Sequence, residues 1–145
     1  MRKRVVPFFL LLALLCSAHV AGAEVLKAYF PRFAVTGAQN VDEMRGGIQT
    51  LLVSHLTSEA IFAVDTPADA DIVVSGDYLA FGGVFSIDAV ARNRAGVFLA
   101  RAFVQGEGKD DFIPAVGKLA KELASEVRKA YAPQAAPKPA PPAAP

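Results

Sequence analysis

The chain has 145 residues, a single cysteine, no tryptophan and a formal net charge of +1. That length suits one domain. Three of the 15 basic residues, Arg2, Lys3 and Arg4, stand together at the start, and without them 12 basic side chains face 14 acidic ones. The remainder is slightly acidic and carries no basic block, so it has no electrostatic footprint for nucleic acid. Docking on anionic lipid is disfavoured for the same reason.

The start reads as a secretory signal peptide over residues 1–23. A positive n-region (Arg2, Lys3, Arg4) precedes an apolar stretch from Val5 to Val20, and Ala21-Gly22-Ala23 forms a small-residue cleavage site. Glu24 is then the first mature residue. The apolar core falls short of the roughly 20 residues a membrane helix needs, so no integral span is expected after cleavage. Cys16 lies inside that core, and Leu15 stands where a lipidation signal would place a small residue. The mature chain would therefore hold no cysteine, form no disulfide and tolerate an oxidising compartment such as a periplasm. At the other end, residues 132–145 are nearly all Pro and Ala. Such a run buries no core and reads as an extended tail. The expected domain is 24–131.

Within it, Val25–Phe30 reads as a strand that Pro31 ends or marks as an edge. A loop follows to Asn40, which with Asp42 is a candidate helix cap. Met44, Ile48, Leu51, Leu52, His55 and Leu56 recur at spacings of three and four, which predicts a helix over about 41–57. Gly46-Gly47 weakens that helix, and close packing against a sheet is its expected reason, with a hinge as the alternative. Ile61–Asp65 is the next strand, completing a β-α-β crossover. After a turn-rich connector come three β-rich runs between Asp71 and Glu107, broken at Phe81-Gly82-Gly83 and at Asn93–Gly96. Short glycine-containing breaks of this kind predict an antiparallel meander. Phe85, Ile87, Ala89 and Ala91 form its expected buried face, with Ser86, Asp88, Val90 and Arg92 opposite. The third run is apolar on both faces apart from Arg101 and Gln105, which predicts a central strand. A last helix starts at Asp110 or Asp111, with Asp111 as its cap and Pro114 in the first turn. Its expected buried stripe is Ile113, Val116, Ala120, Leu123 and Val127. The fold class is α/β (α+β): a mixed sheet of about five strands and two main helices, ordered β-α-β-β-β-β-α. A three-stranded sheet with an apolar face needs cover, and the helices supply it.

Reactive groups do not converge. If the leader is removed with His19, His55 is the one histidine left, four residues before Glu59, and a helix-surface contact is the favoured reading. Asp69, Asp71 and Asp77 lack the ligand count and the glycine of a calcium loop. Asp110-Asp111 read as helix-start groups. The glycine pairs lack the sequence context of a phosphate loop. No catalytic residue, cofactor or metal is expected.

Ala70-Asp71 with Val73-Val74-Ser75-Gly76, followed by Phe85-Ser86-Ile87-Asp88-Ala89 and a closing helix, resembles the N-terminal domain of the TolB family. CsgG, FlgO and LpoB-type envelope proteins look like distant members of the same fold group. The resemblance covers about Val25–Tyr131, although the usual second helix before the "ADIVVSG" strand shrinks to residues 67–71 and no propeller follows. It implies a non-enzymatic envelope domain that docks other proteins. On this reading Phe33, Phe81, Gly82 and Gly83 are candidate partner-contact residues, with burial in the core as the alternative for the two aromatics. The expected partners are envelope or periplasmic proteins, or a second copy through strand-edge pairing. The competing reading is a periplasmic binder of a glycan or lipid fragment, using a cleft left by Gly76, Ala80, Gly82 and Gly83.

Overall fold

The computed structural model describes residues 25–131; the expected leader and the Pro/Ala tail lie outside the described residues. The strands are β1 (Leu26–Tyr29), β2 (Ala34–Thr36), β3 (Ile61–Val64), β4 (Ile72–Phe81), β5 (Val84–Asn93) and β6 (Phe98–Glu107). The helices are α1 (Val41–Ser58) and α2 (Phe112–Tyr131), with a 3-10 turn at Pro67–Asp69. The result is a mixed α+β fold with one open six-stranded sheet, ordered β3-β1-β4-β5-β6, in which β2 also pairs with β4. The pairs β1–β3, β1–β4 and β2–β4 are parallel, and β4-β5-β6 is the antiparallel meander that the glycine breaks predict.

The strand β2 lies in what the sequence reads as a loop. Together β1 and β2 flank one side of β4, with the break between them at Phe30–Phe33. Pro31 causes the break, because it has no N–H to continue a ladder. The carbonyls stranded there are taken by α1: Arg45 Nε donates to the Phe33 carbonyl (2.9 Å) and Gln49 Nε2 to that of Phe30 (3.4 Å). The ring of Phe33 fills the space above Gly76.

Helix α1 starts where the sequence places it. Asn40 Oδ1 accepts from Glu43 N–H, while its amide donates to the Glu43 carboxylate (2.9 Å), so cap and third residue satisfy each other. Ile48, Leu52 and Leu56 form its buried seam. Gly46 and Gly47 do not serve close packing: a Cβ on either would meet nothing within 4 Å. They lie on the helix's outer side.

Helix α2 buries Ala115, Val116, Leu119, Ala120, Leu123, Ala124 and Val127 against β5, β6 and α1. Ile113 falls outside that seam and is exposed; its neighbour Phe112 packs instead, edge-on to Tyr78 and Phe85. The alanines on both sides of this contact let the helix sit close to the sheet. Arg128 reaches Glu59 (3.4 Å) and ties the end of α2 to the end of α1.

One expected position is reversed. The third meander run is not central: β6 is an edge strand, paired only with β5. Its inner residues Ala100, Ala102 and Val104 lie under α2, but its outer apolar residue Phe103 is exposed. Apolarity on both faces reflects cover on one side and an unprotected surface on the other.

Candidate interaction surface

Both helices lie on the same face of the sheet, and no described element covers the other. Strand alternation fixes what that bare face presents. Ile72, Val74 and Tyr78 of β4 point inward, so Val73, Ser75, Asp77, Leu79 and Phe81 point out. On β5 the outward set is Val84, Ser86, Asp88, Val90 and Arg92, as the sequence pattern requires. Across the strands, Phe81 stands opposite Val84 and Leu79 opposite Ser86. Phe81, Leu79 and Val84 therefore form one exposed apolar group at the β4–β5 end, with Phe81 88% exposed. Phe103 and Phe62 are exposed on the same face, toward β6 and β3 respectively.

In the middle of the face Asp77 and Asp88 stand directly opposite each other, an arrangement that costs free energy when uncompensated. Arg101, one strand over, answers it. Its Nε donates to both Asp88 oxygens (2.9 and 3.0 Å), and Nη2 also bonds Asp88. These hydrogen bonds, and then the carboxylate's charge, raise the Arg101 pKa above its ordinary value. The guanidinium is thereby drawn inward over the sheet.

Of the four expected contact residues, the structure separates one from the rest. Phe33 is 1% exposed and belongs to the core, so it presents nothing to a partner. Phe81, Gly82 and Gly83 come together at the tip of the β4–β5 hairpin. Gly82 (φ 59°) and Gly83 (φ 87°) adopt the two positive angles that a two-residue hairpin turn needs. Sequence reasoning, which places the docking surface on the wet sheet face and the loop Phe81–Val84, missed Leu79. The alternation of β5 announces which side is buried, but β4 is nearly continuously apolar from Ile72 to Leu79, so its outward residues became legible only from its pairing with β5.

The remaining candidates resolve as structural groups. The Asp71 carboxylate accepts from Lys27 N–H (2.9 Å) and that of Asp69 from the Thr66 hydroxyl (2.7 Å). The Asp111 carboxylate does not cap α2; it accepts the N–H of Glu107 at the end of β6 (2.9 Å). His55 lies against Gly117 of α2, and Glu59 turns to Arg128. No group of three potential metal ligands occurs among the described residues. The space expected at Gly76 is filled by Phe33, and a Cβ on Gly106 would meet Phe85 Cε1 at 2.7 Å. Two shallow depressions lie elsewhere, one of about 310 Å³ lined by Leu26, Asp71, Asn93, Arg94, Ala95 and Tyr131, the other on the outer side of α1. No described helix is long and apolar enough to cross a membrane.

No family model and no curated protein matches this sequence. Its fold does have solved counterparts. A dodecameric point variant of PelC from Paraburkholderia phytofirmans superposes with a TM-score of 0.54 at 13% identity, covering 69% of this chain and 87% of that one. TolB from Acinetobacter baumannii superposes at 0.51 with 10% identity, covering 75% of this chain but only 29% of its own. The LpoB C-terminal domain from Salmonella enterica gives 0.44 at 7% identity, covering 61% and 87%. The chain shares the fold of PelC and of part of TolB, a two-layer mixed sheet with helices on one side.

Proposed function

We propose that this chain is an exported, non-enzymatic interaction domain of the cell envelope, a TolB N-terminal-like accessory subunit of an assembly or transport complex. The observation that carries the reading is the bare sheet face, with Leu79, Phe81 and Val84 grouped and exposed at one end. Exposed aromatics backed by a rigid sheet are the groups that anchor protein interfaces. The leader-like residues 1–23 and the shared fold with TolB support the compartment. Self-association belongs to the same reading, since PelC is a dodecamer. Residues 132–145, nearly all Pro and Ala, would serve as a spacer. Neither a cofactor nor a metal enters this function.

Affinity capture from periplasmic extract tests it. The wild-type chain recovers a discrete envelope protein, and Phe81→Ser and Leu79→Ser lose it while keeping the wild-type circular dichroism. Recovery of the same protein by both variants contradicts the assignment of the face. A glycan or lipid fragment that saturates the wild-type chain, with no protein captured, favours the small-ligand reading instead.

A further inference from the structure

The edge of β6 carries a more specific message than its face. In an antiparallel ladder, residues that exchange both backbone bonds with the neighbouring strand alternate with residues whose N–H and C=O point away from it. The phase is fixed at the hairpin: Gly108 N–H donates to the Gly83 carbonyl (2.9 Å), next to the pair Val84–Glu107. Counting along the register, Gly106, Val104 and Ala102 bond to β5. Glu107, Gln105, Phe103 and Arg101 turn their backbone groups to the outside. Glu107 confirms the phase, because its N–H is accepted by the Asp111 carboxylate.

That contact also closes one end of the free edge. The other end closes at Leu99, where the register shifts and one residue of β6 is left without a partner on β5. Between these stops lie Arg101, Phe103 and Gln105. Natural edges are guarded by lysine, proline or a bulge within the strand; this window has none of them. Its one charge, Arg101, is held back over the sheet by Asp88.

We infer that this window pairs antiparallel with the same window of a second copy of the chain, with Phe103 on the two-fold axis. The set is self-complementary: Phe103 faces Phe103, and Arg101 faces Gln105 with Glu107 diagonally beyond it. Every free N–H and C=O from Arg101 to Gln105 then finds a partner. Parallel pairing would set Arg101 beside Arg101, and an antiparallel register centred on Arg101 would do the same. A register centred nearer Glu107 would need the N–H that Asp111 already holds. The β3 edge offers only four residues, Ile61–Val64. This pairing uses the sheet's edge rather than its face, so it and the capture of a partner can fail separately.

Sedimentation equilibrium of the full chain tests it. The expected result is a concentration-dependent shift to twice the protomer mass. Phe103→Lys places like charges on the axis and returns the protomer mass, as does Gln105→Pro, which removes an N–H that its own sheet does not use. Phe62→Lys, on the opposite edge, leaves the dimer intact. In a Cys16→Ser background, Phe103→Cys gives a disulfide-linked dimer on mild oxidation, because directly bonded pairs bring Cα atoms to about 5.5 Å, whereas Phe62→Cys does not. Protomer mass at every concentration overturns the inference. So does a dimer that survives both β6 substitutions, or cross-linking no better from Phe103→Cys than from Phe62→Cys.

Discussion

Gly76 has no room for a side chain. A Cβ there would lie 2.5 Å from the Asp88 carbonyl oxygen and 2.6 Å from Phe33 Cζ. Gly76→Ala should therefore cost about 1–3 kcal/mol or more, the range for overpacking a close-packed core, read as a lowered urea midpoint with an unchanged slope. The glycine of the "VVSG" motif is thus explained by the broken strand beside it: Pro31 opens the β1–β2 gap, Phe33 fills it, and only glycine leaves space for the ring. Tyr78 gives a second residue-scale prediction. Burial raises its hydroxyl above the ordinary value of 10.0. Below that value the hydroxyl is neutral in folded and unfolded chains alike. Above it the unfolded chain loses its proton first, so stability falls as pH rises toward the folded value. Tyr78→Phe should remove that part of the alkaline loss, seen as a shallower decline of melting temperature above pH 10 than in the wild type. An equal decline in both proteins would refute it.

At the scale of elements, α1 depends on its reciprocal cap. Asn40→Ala leaves the Glu43 N–H without its acceptor and should cost about 1 kcal/mol, measured by thermal unfolding. Most elements were legible because their periodicities are local: the 3.6-residue stripe of α1, the alternation Phe85–Ala91, the glycine-paired turns. What was not legible depended on other elements. Strand β2 exists because β4 offers it a partner, and three residues carry too short a pattern to announce it. Ile113 is as apolar as its neighbours, yet α2 turns Phe112 inward to meet Tyr78 and Phe85. Asp111 resembles a helix cap in sequence, but the end of β6 claims its carboxylate. The position of β6 misled for a physical reason: a doubly apolar strand is either covered twice or left exposed, and alternation alone does not separate the two cases.

For the whole molecule, the consequence is a sheet with two unlike faces. One is sealed by α1 and α2 around Ile72, Val74, Ile87 and Leu123; the other meets solvent with Leu79, Phe81, Val84 and Phe103. Phe81 and its turn were visible in the sequence as a candidate surface, whereas Phe33 was indistinguishable from it until the strand break gave it a place in the core. Because Phe81 is 88% exposed, Phe81→Ser should change stability by no more than about 0.5 kcal/mol while abolishing partner capture. The most direct test places a photo-reactive side chain in turn at Leu79, at Phe81 and, on the helical side, at Gln49, in cells exporting the full chain. Discrete adducts to one envelope protein from Leu79 and Phe81, and none from Gln49, are the predicted result. The same adducts from all three positions, or from Gln49 alone, would contradict the claim that the bare sheet face is the docking surface.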